Sequence, residues 1–138
     1  AAEKHEKQVQ AALEYVFTES GAQKAFPSIV ASGKNSTTLH YTENGSVMKK
    51  GDLVIVDIGA SYEHYCSDVT RTYPVSGVFT DRQKKVYQDV LDCHNYIKDL
   101  AKPGMYLRNK NHPSVCLNTL AHTFLKDRGY DVEKEKFI

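Results

Sequence analysis

Asp57 and Asp68, eleven positions apart, interrupt two consecutive β-like runs, Leu53–Gly59 and Tyr65–Tyr73. Side chains alternate along a strand, so Asp57 shares a face with Leu53 and Ile55, where an unpaired ionised carboxylate costs several kcal/mol. If the runs pair as an antiparallel hairpin centred on Tyr62 and Glu63, Asp57 lies directly opposite Asp68, with Cβ atoms about 4.5–5.5 Å apart. Like charges that close repel, and a bound cation is the simplest remedy. Two oxygen-only ligands on rigid strands suit a hard or borderline divalent ion such as manganese or zinc. Aspartates also end strands and start turns. The loop lacks the Asn-Gly or Asp-Gly of a tight turn, so a register shifted by one or two residues competes with this pairing.

His40, in Leu39-His40-Tyr41 just before the hairpin, is a candidate proton donor or hydrogen-bonding group to a substrate near a metal. A histidine merely packed in a strand is the plainer alternative. Thr70 shares a face with Asp68 and is placed to hydrogen-bond a metal ligand from behind, against simple cross-strand packing. Cys66 lies in the right region for a nucleophile, but no base with a fixed partner accompanies it, and a buried inert thiol is expected. His5, His94, His112 and His122 read as structural or solvated, as does His64, although its hairpin loop places it nearest a ligand. Ser32–Ser36 superficially resembles a phosphate loop, yet Ser28 stands where the upstream glycine belongs and Lys34 is not followed by Ser or Thr, so no nucleotide site is expected.

The elements that must position these groups are legible in part. Val9, Ala12, Leu13, Val16 and Phe17 recur at helical spacing within Glu3–Ser20, and Gly21 stands where that helix stops. Ala25–Val30 reads as a short strand, Ser32–Thr37 as a polar turn, and Glu43-Asn44-Gly45 as another turn. Thr80 and Gln83 form a capping box ahead of Val86, Tyr87, Val90, Leu91, Ile97 and Leu100, predicting a long helix that ends by Lys102-Pro103-Gly104. Pro113 sits at a plausible first helical position, with Val115, Leu120, Phe124 and Leu125 on one face until Gly129. No repeat, low-complexity tract or long linker divides the chain, so residues 1–138 read as a single domain.

At 138 residues, 41% hydrophobic and 25% charged with a net charge of +1, the chain is long enough for a real core and is no polycation. Interspersed acids and bases give no nucleic-acid or anionic-membrane partner, and no apolar run approaches the roughly 20 residues of a membrane helix. The charged first residues lack a hydrophobic signal region. Three cysteines without CxxC spacing, Cys66, Cys93 and Cys116, argue against a disulfide framework or zinc ribbon and fit a reducing, cytoplasmic setting. Asn35-Ser36-Thr37 and Asn44-Gly45-Ser46 match the glycosylation sequon, a pattern short enough to arise by chance.

Taken in order, Ile29–Tyr41, Gly51–Ala60, Ser67–Val75 and Gly77–Thr80 resemble the catalytic domain of aminopeptidase P and prolidase, the proline-directed "pita-bread" metallopeptidases. The resemblance runs from about Glu6 to Gly104 and is nearer the Xaa-Pro branch than methionine aminopeptidase. It implies an α/β (α+β) fold, antiparallel sheet with flanking helices, of which this chain is roughly the first half. It also implies two divalent ions, manganese first with zinc or cobalt as alternatives. Asp57 would bind one ion in a bidentate manner and Asp68 would bridge both, while His40 handles the substrate or its proton and Phe26 lines the pocket. Two ions a few ångströms apart lower the pKa of a bridging water and polarise the scissile carbonyl, so the implied reaction is hydrolysis of the bond before proline in peptides.

The family's other ligands, a histidine and two glutamates, come from a second half that this chain does not show. Glu133 and Glu135 lie in a charged tail and are not assigned those roles. The first family helix and the preceding domain also read as absent. The chain alone is therefore expected to be inactive and to associate with itself or with its missing half. The alternative is a non-catalytic member that keeps the fold as a peptide- or protein-binding module.

Overall fold

The computed structural model describes residues 3–131. These fall into two compact units that divide between Phe79 and Thr80, described in turn.

The first unit begins with helix α1, Glu6–Glu19, whose backbone turns at Ser20 and leaves through Gly21 at φ 74°. The buried stripe is narrower than the apolar pattern predicts: Val9, Leu13 and Phe17 are half-buried, whereas Ala12 and Val16 are exposed. Its first member is Glu6, fully buried.

Of the expected strand Ala25–Val30 only Ile29 and Val30 are in a ladder, and a separate short strand precedes it. Strand β1 is Gln23–Lys24 and β2 is Ile29–Ser32, separated by Phe26-Pro27, where proline has no N–H to give to a ladder. A five-residue 3-10 helix, Gly33–Thr37, follows. The long hairpin then runs up through β3, Leu53–Ile58, and β4, Ala60–Tyr62, and returns through β5, Tyr65–Cys66, and β6, Val69–Pro74. Two three-stranded antiparallel sheets result, ordered β1-β4-β5 and β2-β3-β6.

The register corrects the expected facing of the two carboxylates. Asp57 pairs with Thr70, not with Asp68, and Tyr62 pairs with Tyr65 around a two-residue loop, Glu63-His64. Both loop residues have positive φ, 45° and 70°, the type I′ geometry whose twist matches a hairpin but which usually recruits Asn or Gly. Moving a turn by one residue moves the pairing by two, so every side chain keeps its face.

That face is not the centre of the core. Val54, Val56 and Ile58 point the other way, joining Val30, Met48 and Val75 under Val9 and Leu13 of α1. Each such fully buried Val or Met contributes about 1.5–3 kcal/mol. Asp57 lies opposite, with half-buried Leu53 and Ile55, and across the sheet it forms a row with Ile29 on β2 and Thr70 on β6.

The second unit is helical. Helix α2, Asp81–Leu100, starts with the anticipated capping box: the Gln83 amide donates to Thr80 Oγ1 at 3.3 Å, and the Thr80 amide to Gln83 Oε1 at 2.9 Å. Pro113 opens a 3-10 turn, Pro113–Val115, and helix α3, Leu117–Asp127, begins only after Cys116. Cys93 is buried where α2 meets α3, its thiol 3.7 Å from the Ala121 carbonyl, and Tyr96 stacks on Phe124 with ring centroids 5.0 Å apart. Glu133 and Glu135 lie outside the described residues.

Candidate active site

One open cavity of about 320 Å³ in the first unit is lined by Phe26, Pro27, Ile29, His40, Thr42, Asp57 and Asp68. Each wall has a local cause. Pro27 turns the chain from β1 to β2 and leaves Phe26 at the cavity edge. Asp57 comes from the central strand, and Thr70 Oγ1, directly across the ladder, donates to its Oδ1 at 2.8 Å. Asp68 follows Ser67, where the ladder is interrupted and the Ala60 amide donates to the Ser67 hydroxyl at 3.0 Å.

Gly59 is what lets these parts close up. A Cβ there would stand 2.0 Å from the Ser67 carbonyl oxygen and 2.6 Å from Phe26 Cε1. Backbone cannot yield by that amount, so the absence of a side chain sets both Phe26 and the strand that leads into Asp68.

His40 occupies a turn, not a strand, with φ 54°. A positive φ is uncommon outside glycine and persists where the surroundings over-determine it. Here they do. Four residues along, Asn44 is fully buried at φ 47°; its Oδ1 accepts from the Val30 amide at 2.8 Å and its Nδ2 donates to the Ser28 carbonyl at 2.8 Å and to Gln10 at 2.9 Å. Asn44 thus serves the free edge of β2 as a neighbouring strand would.

Glu6 serves the rest of that edge. Its Oε1 accepts from the Ser32 amide and hydroxyl, each at 2.7 Å, and from Asn35 Nδ2 at 3.1 Å; its Oε2 accepts from the Tyr41 hydroxyl at 3.0 Å and the Ser46 amide at 2.9 Å. Burial pushes its carboxyl up, but hydrogen bonds from Ser32, Ser46 and Asn35 outweigh that and hold it below the usual range. Sequence reasoning missed Glu6 and read Asn44 as a turn residue only. A usable signal existed in Glu6 itself, three residues before Val9 and seven before Leu13 on the apolar stripe. Both sequon asparagines, Asn35 and Asn44, are committed to these internal bonds.

Cys66 corrects another expectation: it is exposed, because β5 is the outer strand of its sheet, whereas Cys93 and Cys116 are buried. His64 is at the exposed hairpin tip and does not line the cavity.

Asp57 and Asp68 offer oxygen donors suited to a hard or borderline divalent cation. Among the described residues no cluster of three or more His, Cys, Asp or Glu side chains could hold a metal ion. The donors fit such an ion in kind, and two carboxylates would make up part of a coordination shell.

The arrangement of α1, the two antiparallel sheets and the cavity between Phe26, His40 and the two aspartates defines the class: part of the pita-bread fold of aminopeptidase P. Against a histidine-to-alanine variant of Escherichia coli aminopeptidase P the match has a TM-score of 0.83 at 30% identity, covering 99% of this chain and 30% of the other. Residues 1–132 match metallopeptidase family M24, and the chain belongs to that family. It is 43% identical over 114 residues to Xaa-Pro aminopeptidase 3 of Dictyostelium discoideum, covering 82% of this chain and 22% of that protein. It is 38% identical over 128 residues to Xaa-Pro dipeptidase of Pyrococcus furiosus, covering 92% and 34% respectively. The chain therefore spans about a fifth to a third of the length of the relatives it matches.

Proposed function

We propose that this chain is the first part of the catalytic domain of a metallopeptidase that hydrolyses the bond before proline in peptides. The observation that carries this reading is the convergence of Asp57, Asp68, His40 and Phe26 on one cavity. Asp57 and Asp68 hold two divalent ions, manganese first with zinc or cobalt as alternatives, together with ligands from outside the described residues. Such ions supply an acidified water and a polarised scissile carbonyl. Thr70, through its bond to Asp57 Oδ1, fixes that carboxylate and leaves Oδ2 outside that bond. Phe26, Pro27 and Ile29 give an apolar wall against which a proline ring packs, and His40 orients the peptide or moves a proton at its scissile amide.

By itself the 138-residue chain is expected to be inactive, since two carboxylates leave most coordination positions to water. Self-association, or association with the complementary half, belongs to the same proposal and is supported by Val69 and Tyr73, exposed on β6. A cytoplasmic setting belongs to the same proposal and is supported by three free cysteines, Cys66, Cys93 and Cys116.

The test is a quenched Xaa-Pro peptide assay with added manganese, run on the full-length protein carrying this chain and on the chain alone. Metal-dependent turnover by the former is expected. Its absence in a folded full-length protein would favour a non-catalytic peptide-binding module.

A further inference from the structure

We propose that Glu6, on a helix that does not line the cavity, is the positioning residue for the His40–Thr42 wall. This deepens the peptide-site reading above and rests on it for the meaning of that wall, though not for the mechanics.

Every hydrogen bond Glu6 accepts comes from the segment that carries the wall or from its two ends. Ser32 and Asn35 lie before it, Tyr41 lies within it and Ser46 closes it. Tyr41 stands between His40 and Thr42, the two wall residues that segment contributes. Its hydroxyl donates to Glu6 Oε2 while accepting from the Gly45 amide at 3.1 Å and from Asn35 Nδ2 at 3.1 Å. One phenol oxygen therefore ties both flanks of His40 to a single carboxylate. That carboxylate is fully buried, and no lysine or arginine among the described residues pairs with it, so its charge is balanced by these donors alone.

The chemistry explains why the residue is a glutamate. A carboxylate offers only acceptors, and the five groups facing it are all donors. Glutamine would turn one oxygen into a donor against either Ser32 and Asn35 or Tyr41 and Ser46, with almost no change in shape. His40 and Asn44 hold positive φ on either side of Tyr41, a conformation that relaxes when what pins it is removed.

The assignment is tested on the full 15N-labelled chain as wild type, Glu6→Gln, Glu6→Asp and Tyr41→Phe, following amide exchange and the His40 and Thr42 resonances. In Glu6→Gln and Tyr41→Phe the Ser46 amide is expected to exchange about tenfold faster or more, the scale set by losing a charge-assisted bond. His40 and Thr42 are expected to shift or broaden, while β3 amides keep their wild-type rates. Glu6→Asp, which retains the charge on a shorter stem, is expected to restore part of the effect. Should Glu6→Gln not fold, Tyr41→Phe decides by the same criterion. Unchanged resonances for His40 and Thr42 would overturn the assignment, as would β3 amides that speed up by the same factor as Ser46. Adding a proline-containing tripeptide to the wild type reads the other question separately: no shift at Phe26 or His40 counts against the peptide site, whereas the variants alone judge Glu6.

Discussion

Thr70 donates its hydroxyl proton to Asp57 Oδ1 at 2.8 Å from the position directly across the β3–β6 ladder. A carboxylate held at one oxygen presents the other in a fixed direction, which is how an outer partner tunes a metal ligand. Thr70→Val keeps the β-branched shape and removes the bond. Because Thr70 is exposed, the stability loss is expected to be about 0.5–1 kcal/mol, at the low end for a hydrogen bond. Metal affinity of the full-length protein is expected to fall about 10-fold to 100-fold, measured by calorimetry. A variant that binds manganese like the wild type would show that the bond orients nothing of consequence.

Gly59→Ala should be far more damaging than its single methyl suggests. The added carbon meets the Ser67 carbonyl and the Phe26 ring at separations that require the strands to part. Small-to-large changes in packed sites cost about 1–3 kcal/mol or more. Thermal unfolding is expected to shift accordingly, and proline-peptide binding at Phe26 to weaken with it. Unaltered melting would mean that the hairpin has slack at Ser67.

Acidification should loosen the first unit through Glu6. Its folded carboxyl lies below the ordinary value of 4.5, so the stability it adds is present above that value and is lost as pH falls through the lower, folded one. Tyr41 is the one titratable side chain hydrogen-bonded to it. Glu14 adds in the same direction: its carboxyl is lowered chiefly by a hydrogen bond from Gln10, with burial opposing and Ser28 and Lys24 assisting. Glu6→Gln is therefore expected to be less stable at neutral pH and to lose less on going from pH 5 to pH 3, leaving the slope due to Glu14 and other acids. Parallel melting curves against pH for both proteins would remove Glu6 from this role.

How far the sequence reveals all this depends on what each residue answers to. The Thr80 capping box and the apolar spacing behind it are local, and α2 starts where they say. The strands around Asp57 are equally plain from their residue types. Their register is not, because it is set by a type I′ turn at Glu63-His64, a pair that propensity does not nominate. A hairpin centred one residue earlier puts Asp68 opposite Asp57, yet the two-residue slip leaves both on the same face, which is why both still line one cavity. Asn44, and the partners of Glu6, are hidden for a different reason. A buried polar side chain is defined by partners 14 to 40 residues away, and no short pattern reports those.

The isolated chain should bind manganese only weakly, with a dissociation constant on the order of millimolar, as expected for two carboxylates and a shell of water. Calorimetry on wild type and on Asp57→Asn with Asp68→Asn checks this. Tight binding that survives both substitutions would place the metal elsewhere.

The most direct measurement is manganese-dependent hydrolysis of an Xaa-Pro peptide by the full-length protein, with Asp57→Asn and Asp68→Asn compared to wild type after circular dichroism has shown all three to be folded. Each substitution is expected to lower kcat/KM by more than about 100-fold, beyond the range produced by losing an outer-shell partner alone. Wild-type turnover in both folded variants would contradict the assignment of these two aspartates to the metal centre.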